Sequence, residues 1–488
     1  MDGKNIQQYT TRPESGCSLS LDEQTTFLTL FFGIGKTLQM VGDSNETFTN
    51  QLDKFWSLAR AASDGAGIVS VKIVEGHFFI NDQLCKFTHK SPVAGQGLQR
   101  WRALGLGGAA IHVTQGPTDF ITALSVINDA KLGSDTLPDL KSALAERGAG
   151  AVTLFSEQDV ADIKPVTAEE REVMRRDARA VFFKSLRTID DVAKRFLNGE
   201  DVNLQATRRT VNTLVDQLLR EDSALLEMTA IKDFDDYTFA HSVNVCIYSL
   251  TIGISLGLDR KRLSQLGFAA LFHDLGKVWL PSDVVRKAGA FDDDDWTHMR
   301  KHPILGAKAI LRTFALDTHV VRGALAAFEH HLNLDNTGYP KRSNLRELNL
   351  FSRIIAIADV FDALTSGRIY IVERISPVEA LRRMMYQMGA KFDALLLKIF
   401  VNTVGLFPPG SLVLLNDKRV AIVERNSAER QSAPVVRVIG DESGLVKNVT
   451  LVDLGAPENA GLAIERYLDP EKVGIDLTGH ILGDAPVN

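Results

Sequence analysis

The residues able to do chemistry are concentrated in one stretch: of eleven histidines in the chain, seven lie between His241 and His331. His273 and Asp274 are neighbours and follow the apolar run 266–272, so an imidazole and a carboxylate emerge side by side from a helix whose pattern marks it as buried. A lone histidine there reads as a satisfied core residue. The adjacent aspartate changes that reading, because a buried carboxylate is costly unless something positive compensates it. A divalent metal is the natural compensator, and imidazole nitrogen with carboxylate oxygen is a suitable donor set. Further donors recur downstream and upstream. His302 precedes Pro303, His330 and His331 end an apolar helical run, Asp359 closes the run 354–358, and His241 lies in the segment 237–242. Asp362 comes three residues after Asp359 and shares its face if the helix continues. Five histidines and two or three aspartates on separate helices supply enough donors for two metals, and a helical bundle core is where such sites are built.

The elements that must hold these donors are legible in outline. Residues 228–405 read as helix after helix, and 165–227 as connecting helices: Thr167 and Glu170 form a capping box, Asn198-Gly199 breaks the first helix, and Val211, Leu214, Val215 and Leu218 give the second one apolar face. Before them, 25–164 alternates between β-rich runs (68–79, broken at Glu75-Gly76, then 109–113 and 151–155) and helical spacing (119–127, 140–145), which predicts a mixed α/β regulatory domain behind a loose tail, 1–24. After Phe407-Pro408-Pro409-Gly410 the alternating runs 412–415, 419–424, 435–439 and 446–453 predict a small β appendage within 406–488. The fold class is therefore a mainly α catalytic domain flanked by an N-terminal α/β domain and a C-terminal β appendage. Two phosphate-loop imitations fail. Gly35-Lys36-Thr37 lacks the required first glycine, whose place Leu30 holds, and the glycines at 105, 107 and 108 follow Gln99-Arg100-Trp101-Arg102 rather than an apolar strand.

Length and composition bound the rest. At 488 residues, two or three domains are expected, and 45% hydrophobic with 24% charged residues is ordinary globular composition. A net charge of -6 supplies no basic field for nucleic acid or an anionic membrane surface. Cys17, Cys85 and Cys246 are far apart, without zinc-knuckle or redox spacing. The longest early apolar run, 27–34, is well short of the roughly 20 residues that a spanning helix needs. A cytoplasmic protein is the expectation.

Three ordered motifs carry a resemblance. His273-Asp274-Leu275-Gly276-Lys277, then His330-His331 with Asp335 and Gly338-Tyr339-Pro340, then Asp359-Val360-Phe361-Asp362-Ala363-Leu364-Thr365-Ser366-Gly367-Arg368 together resemble the HD-GYP family over about residues 228–400. The resemblance implies a helical phosphohydrolase whose metal ligands are His241, His273, Asp274, His302, His330, His331 and Asp359, with Asp274 bridging two divalent ions, iron or manganese. It implies hydrolysis of cyclic di-GMP to linear pGpG, with GMP as a further product, in bacterial second-messenger signalling. Lys277 would neutralise the scissile phosphate, Arg368 would bind phosphate, and Tyr339 and Pro340 would line the substrate. It also implies partners: cyclic di-GMP and diguanylate cyclases of the GGDEF type or other signalling proteins. The helix pair within 165–227 separately offers dimer contacts, and so a homodimer, beside simple packing on the next domain. The chain departs from the pattern at Leu332, Asn336 and Ile371, where many members carry glutamate, glycine and a basic residue; an impaired domain that senses nucleotide or docks a protein is the competing expectation. Tyr237 stands where some members place a third-metal glutamate, so a two-metal centre is expected.

Overall fold

A computed structural model of the chain describes residues 19–74, 77–85, 92–131, 136–156, 158–160, 168–200, 202–220, 222–231, 237–287, 289–335, 337–341, 346–366, 375–426, 432–441 and 444–483. It divides into two units, Met1–Thr167 and Ala168–Asn488. In the first unit, Ser20 and Glu23 cap each other's backbone at the start of α1 (Leu21–Val41). The apolar run noted above becomes the buried face of that helix, with Phe27, Leu28, Phe31 and Phe32. Gly35, Lys36 and Thr37 lie inside α1, where the backbone is committed to the helix and cannot cradle a phosphate. The chain continues through α2 (Glu46–Ala62), β1 (Ile68–Val74), β2 (His77–Ile80), β3 (Gln83–Cys85), α3 (Pro92–Ala103), β4 (Leu106–His112), α4 (Pro117–Asp129), α5 (Leu137–Glu146) and β5 (Val152–Ser156). The strands form one antiparallel sheet in the order β3-β2-β1-β4-β5. Phe55 stacks on Phe27 and Phe120 at centroid distances of 5.2 and 4.9 Å, anchoring α2 between α1 and α4. Each such fully buried ring contributes roughly 1.5–3 kcal/mol.

The second unit opens with α6 (Ala168–Asn198), which stops at Gly199, whose φ of 69° suits glycine. Thr167 and its capping pair with Glu170 lie outside the described residues. There follow α7 (Leu204–Arg220), α8 (Asp222–Met228), α9 (Tyr237–Ser255), α10 (Arg260–Leu271), a 3-10 turn (Leu275–Trp279), α11 (Ser282–Val285), α12 (Asp293–Met299), α13 (His302–Thr313), α14 (Thr318–Glu329), α15 (Leu350–Ser366), α16 (Pro377–Tyr386) and α17 (Ala394–Val404). Helix α9 is apolar on nearly every side because it is enclosed by its neighbours: Val243, Val245, Ile247, Leu250 and Ile252 are all fully buried. An antiparallel sheet, ordered β10-β6-β7-β8-β9, is built from β6 (Leu412–Leu415), β7 (Val420–Arg425), β8 (Val435–Asp441), β9 (Gly444–Asp453) and β10 (Ile464–Tyr467).

One apolar core runs through all of this unit. It joins Phe182 and Val192 of α6, the stripe Val211, Leu214, Val215 and Leu218 of α7, the helices that carry the donors, and Leu412, Ile422 and Ile439 of the sheet. Strand alternation puts Val413, Leu415, Val423 and Val436 on the opposite face, over a smaller core of their own. Four charges seal the junction, with Arg175 of α6 and Arg437 of β8 each paired to both Glu227 of α8 and Glu424 of β7. The connecting helices and the β appendage are thus packed into the same body as the donor-bearing helices. Among the described residues, no helix is long and apolar enough to cross a membrane.

Candidate metal centre

Most of the donors stand at helix ends and turns, and two lie within helices. Helix α10 ends at Leu271, so His273 and Asp274 stand in the bend leading to the 3-10 turn, while His302 opens α13 and His330 and His331 follow the last residue of α14. His241 and Asp359 are inside α9 and α15. All seven residues expected as ligands fall into two groups whose donor atoms lie within 4.8 Å of one another: Asp274, His302, His330 and His331 in one, His241, His273 and Asp359 in the other. Asp274 faces both. Its Oδ1 is 3.3 Å from His302 Nε2 and 3.7 Å from His330 Nε2, and its Oδ2 is 3.4 Å from His273 Nε2 and 3.6 Å from His241 Nε2. Asp359 adds Oδ1 at 3.1 Å from His241 Nε2 and Oδ2 at 3.7 Å from His331 Nδ1.

Hydrogen bonding decides which ring nitrogens are open to a cation. Nδ1 of His273, His302 and His330 meets the carbonyls of Ala270, Met299 and Ala327 at 2.7, 2.7 and 2.9 Å. A carbonyl can only accept, so Nδ1 carries the proton and Nε2 of a neutral ring presents its lone pair inward. His302 Nε2 and His330 Nε2 are then two acceptors only 3.2 Å apart. Burial keeps His302 well below the ordinary histidine range, holds His330 at about 4 and also depresses His331. At neutral pH these rings offer lone pairs without first losing a proton. Burial opposes ionisation of Asp274, but Lys277 and then His273 outweigh it and hold the carboxyl well below the usual carboxylate range. Burial likewise disfavours a charged His273, against which Asp274 and Asp359 raise it. His273 Nε2 and Asp274 Oδ1 have no hydrogen-bond partner although both are buried. Facing lone pairs, orphaned buried donors and a mixed nitrogen–oxygen set fit divalent metal ions.

Around this centre the fold places residues whose roles spacing alone does not reveal. Asp362 is fully buried, accepts a hydrogen bond from His241 Nδ1 at 2.7 Å on one oxygen and one from Asn244 Nδ2 at 3.0 Å on the other. It sits behind His241 instead of beside Asp359, and carboxylate–histidine pairs of this kind orient imidazoles that bind metals. Replacing it, Asp362→Asn, is expected to weaken metal affinity by roughly 10–100-fold while the fold persists, as read by metal titration beside circular dichroism. Lys277 is buried and ion-paired with Asp274. The Tyr339 ring lies 4.7 Å from that of His331 and 6.2 Å from that of His302, and Pro340 behind it is buried. Leu332 is 3% exposed and bridges to Gly338, so it serves as an inward anchor of the loop. Asp335 Oδ1 accepts from the Thr337 amide and hydroxyl at 2.9 and 2.6 Å, which shapes the same loop. Asn336, Arg368, Ile371 and the side chain of Tyr237 lie outside the described residues.

Residues 214–396 match a family model described as an HD domain. The matched stretch contains all seven of the clustered histidine and aspartate donors. The Gly338-Tyr339-Pro340 loop lies within the same matched stretch. The chain is 32% identical over 240 residues to a cyclic di-GMP phosphodiesterase of Pseudomonas aeruginosa, covering 49% of this chain and 57% of that protein. It is 24% identical over 238 residues to a cyclic di-GMP phosphodiesterase of Borreliella burgdorferi, covering 49% and 62%. To a 3'3'-cGAMP-specific phosphodiesterase of Vibrio cholerae it is 29% identical over 217 residues, covering 44% and 41%. The chain therefore spans less than two thirds of each of these relatives.

Proposed function

We propose that residues 228–405 form an HD-GYP phosphodiesterase domain that hydrolyses cyclic di-GMP to linear pGpG and onward to GMP, with two divalent metal ions, iron or manganese, held by His241, His273, Asp274, His302, His330, His331 and Asp359. The observation that carries this reading is the pair of buried, neutral imidazoles His302 and His330, which present facing lone pairs 3.2 Å apart beside Asp274. Such an arrangement is repulsive without a shared cation. When bound, the metal ions would supply Lewis-acid polarisation of a phosphoryl oxygen and acidify a water. The chain's own groups do the rest. Asp274 and Asp359 offset the positive charge, and Lys277, held by Asp274, stands ready to neutralise the phosphate. Tyr339 offers a flat wall beside His331 against which a base or ribose can pack. Arg368 adds a second phosphate contact. In this reading residues 25–164 regulate the domain, which acts in the cytoplasm, and the Gly338-Tyr339-Pro340 loop also docks a diguanylate cyclase.

The test incubates purified full chain, loaded with manganese or anaerobic ferrous iron, with cyclic di-GMP and separates the products by chromatography. Metal-dependent appearance of pGpG is expected, together with its abolition by chelation and by His273→Ala. Wild-type protein that binds metal yet yields no product overturns the enzyme reading. Faster turnover of a cyclic GMP–AMP dinucleotide than of cyclic di-GMP would overturn the substrate assignment.

A further inference from the structure

The turn between α16 and α17 carries a cation that nothing in the domain consumes. Lys391 is half-buried, and burial pulls its pKa down while Asp359, a member of the metal centre, pushes it back up. The turn is rigidly made: the Gly389 amide donates to Phe392 O at 2.8 Å, the Lys391 amide to Gln387 O at 2.9 Å, and Phe392 is buried beneath it. It is also tied to the loop that follows His331, through the Asp335 amide and the Ala390 carbonyl at 3.1 Å. The ammonium itself lies 5.2 Å from the Phe392 ring centre and, among the described residues, has no hydrogen bond and no carboxylate partner. An ammonium partly withdrawn from water with no carboxylate in direct contact is poorly satisfied, and an anion placed against it would complete it. Lys277 is different, being paired with Asp274 inside the centre.

A cyclic dinucleotide carries two phosphates on opposite sides of its ring. When one is at the metal centre, the other lies several ångströms outward, toward the rim. We infer that Lys391 is a substrate-binding residue of this site, its ammonium pairing with the second, uncleaved phosphate of the cyclic dinucleotide; the inference rests on the phosphodiesterase reading above. Lys391 thereby selects cyclic dinucleotides over diesters that have a single phosphate.

The experiment compares wild type, Lys391→Met and Lys391→Arg, all full-length and metal-loaded, on cyclic di-GMP and on bis(p-nitrophenyl) phosphate. Methionine keeps the stem against Phe392 and removes only the charge. For Lys391→Met, KM for cyclic di-GMP is expected to rise about tenfold with kcat and metal content within twofold of wild type. The preference for cyclic di-GMP over the small diester, as a ratio of kcat/KM, should fall by the same factor. Lys391→Arg should recover most of both. An unchanged KM in Lys391→Met, or an arginine variant no better than methionine, overturns the inference while the phosphodiesterase reading stands. Absence of metal-dependent turnover of cyclic di-GMP by the wild type overturns both.

Discussion

Asp274→Asn is expected to lower metal-dependent phosphodiester hydrolysis by on the order of 10³-fold or more and to deplete both metal clusters at once. The side chain keeps its shape, but one anionic acceptor becomes a donor amide and the charge is lost. Oδ1 serves the His302 and His330 side at 3.3 and 3.7 Å, and Oδ2 serves the His273 and His241 side at 3.4 and 3.6 Å, so no single-cluster substitution has the same reach. Lys277 loses its counter-ion in the same change and adds repulsion where a cation should sit. His331→Ala, which belongs to one group only, is expected to remove about one metal equivalent and leave the other. Elemental analysis after desalting, beside initial rates, checks both variants. An Asp274→Asn protein that retains two metals per chain and wild-type turnover would refute a bridging carboxylate.

Gly276→Ala is expected to cost about 1–3 kcal/mol of stability and at least roughly 10²-fold in turnover. A Cβ at Gly276 would press on the His302 carbonyl oxygen and the Gly306 amide nitrogen, both backbone atoms of α13. Backbone cannot rotate aside as a side chain can. The 3-10 turn and α13 must then separate, which pulls His302 away from Asp274, two residues before the substituted glycine. Chemical denaturation and kcat on the same preparations report the two effects. Gly461→Ala, whose Cβ would meet nothing within 4 Å, is the control and should stay within about 0.5 kcal/mol of wild type. Equal behaviour of the two alanine variants would show that close packing at Gly276 is not what sets the position of His302.

Much of the second unit is legible from pattern because its elements satisfy local rules. The apolar stripe of α7 and the alternation of β6 to β9 appear where period and turn residues place them. Strand β10 and the last helix, Leu477–Leu482, are less legible: the strand is four residues long with only partly buried side chains, and the helix has six residues. Both are fixed by partners distant in sequence, β10 by pairing with β6, and Leu477 and Ile481 by the main core. Asp362 was visible as a neighbour of Asp359 on one helical face. Its hydrogen bond to His241 depends on how α15 packs against α9, 121 positions away in sequence. Lys391 gave no signal at all, because a lysine before Phe392-Asp393 is ordinary until the turn is tied to the loop that follows His331.

What the sequence determined by itself is the donor set: seven imidazoles and carboxylates in ordered motifs, with residue types that suit divalent ions. What only the tertiary structure decided is how they are shared. His273 and Asp274 are adjacent in the chain, yet His273 groups with His241 and Asp359 while Asp274 groups with His302, His330 and His331. The physical reason is that spacing constrains neighbours along one element, whereas a metal site is a meeting of atoms from several elements. Their convergence is set by packing, as where the bare glycine at 276 lets α13 approach the turn that carries Asp274.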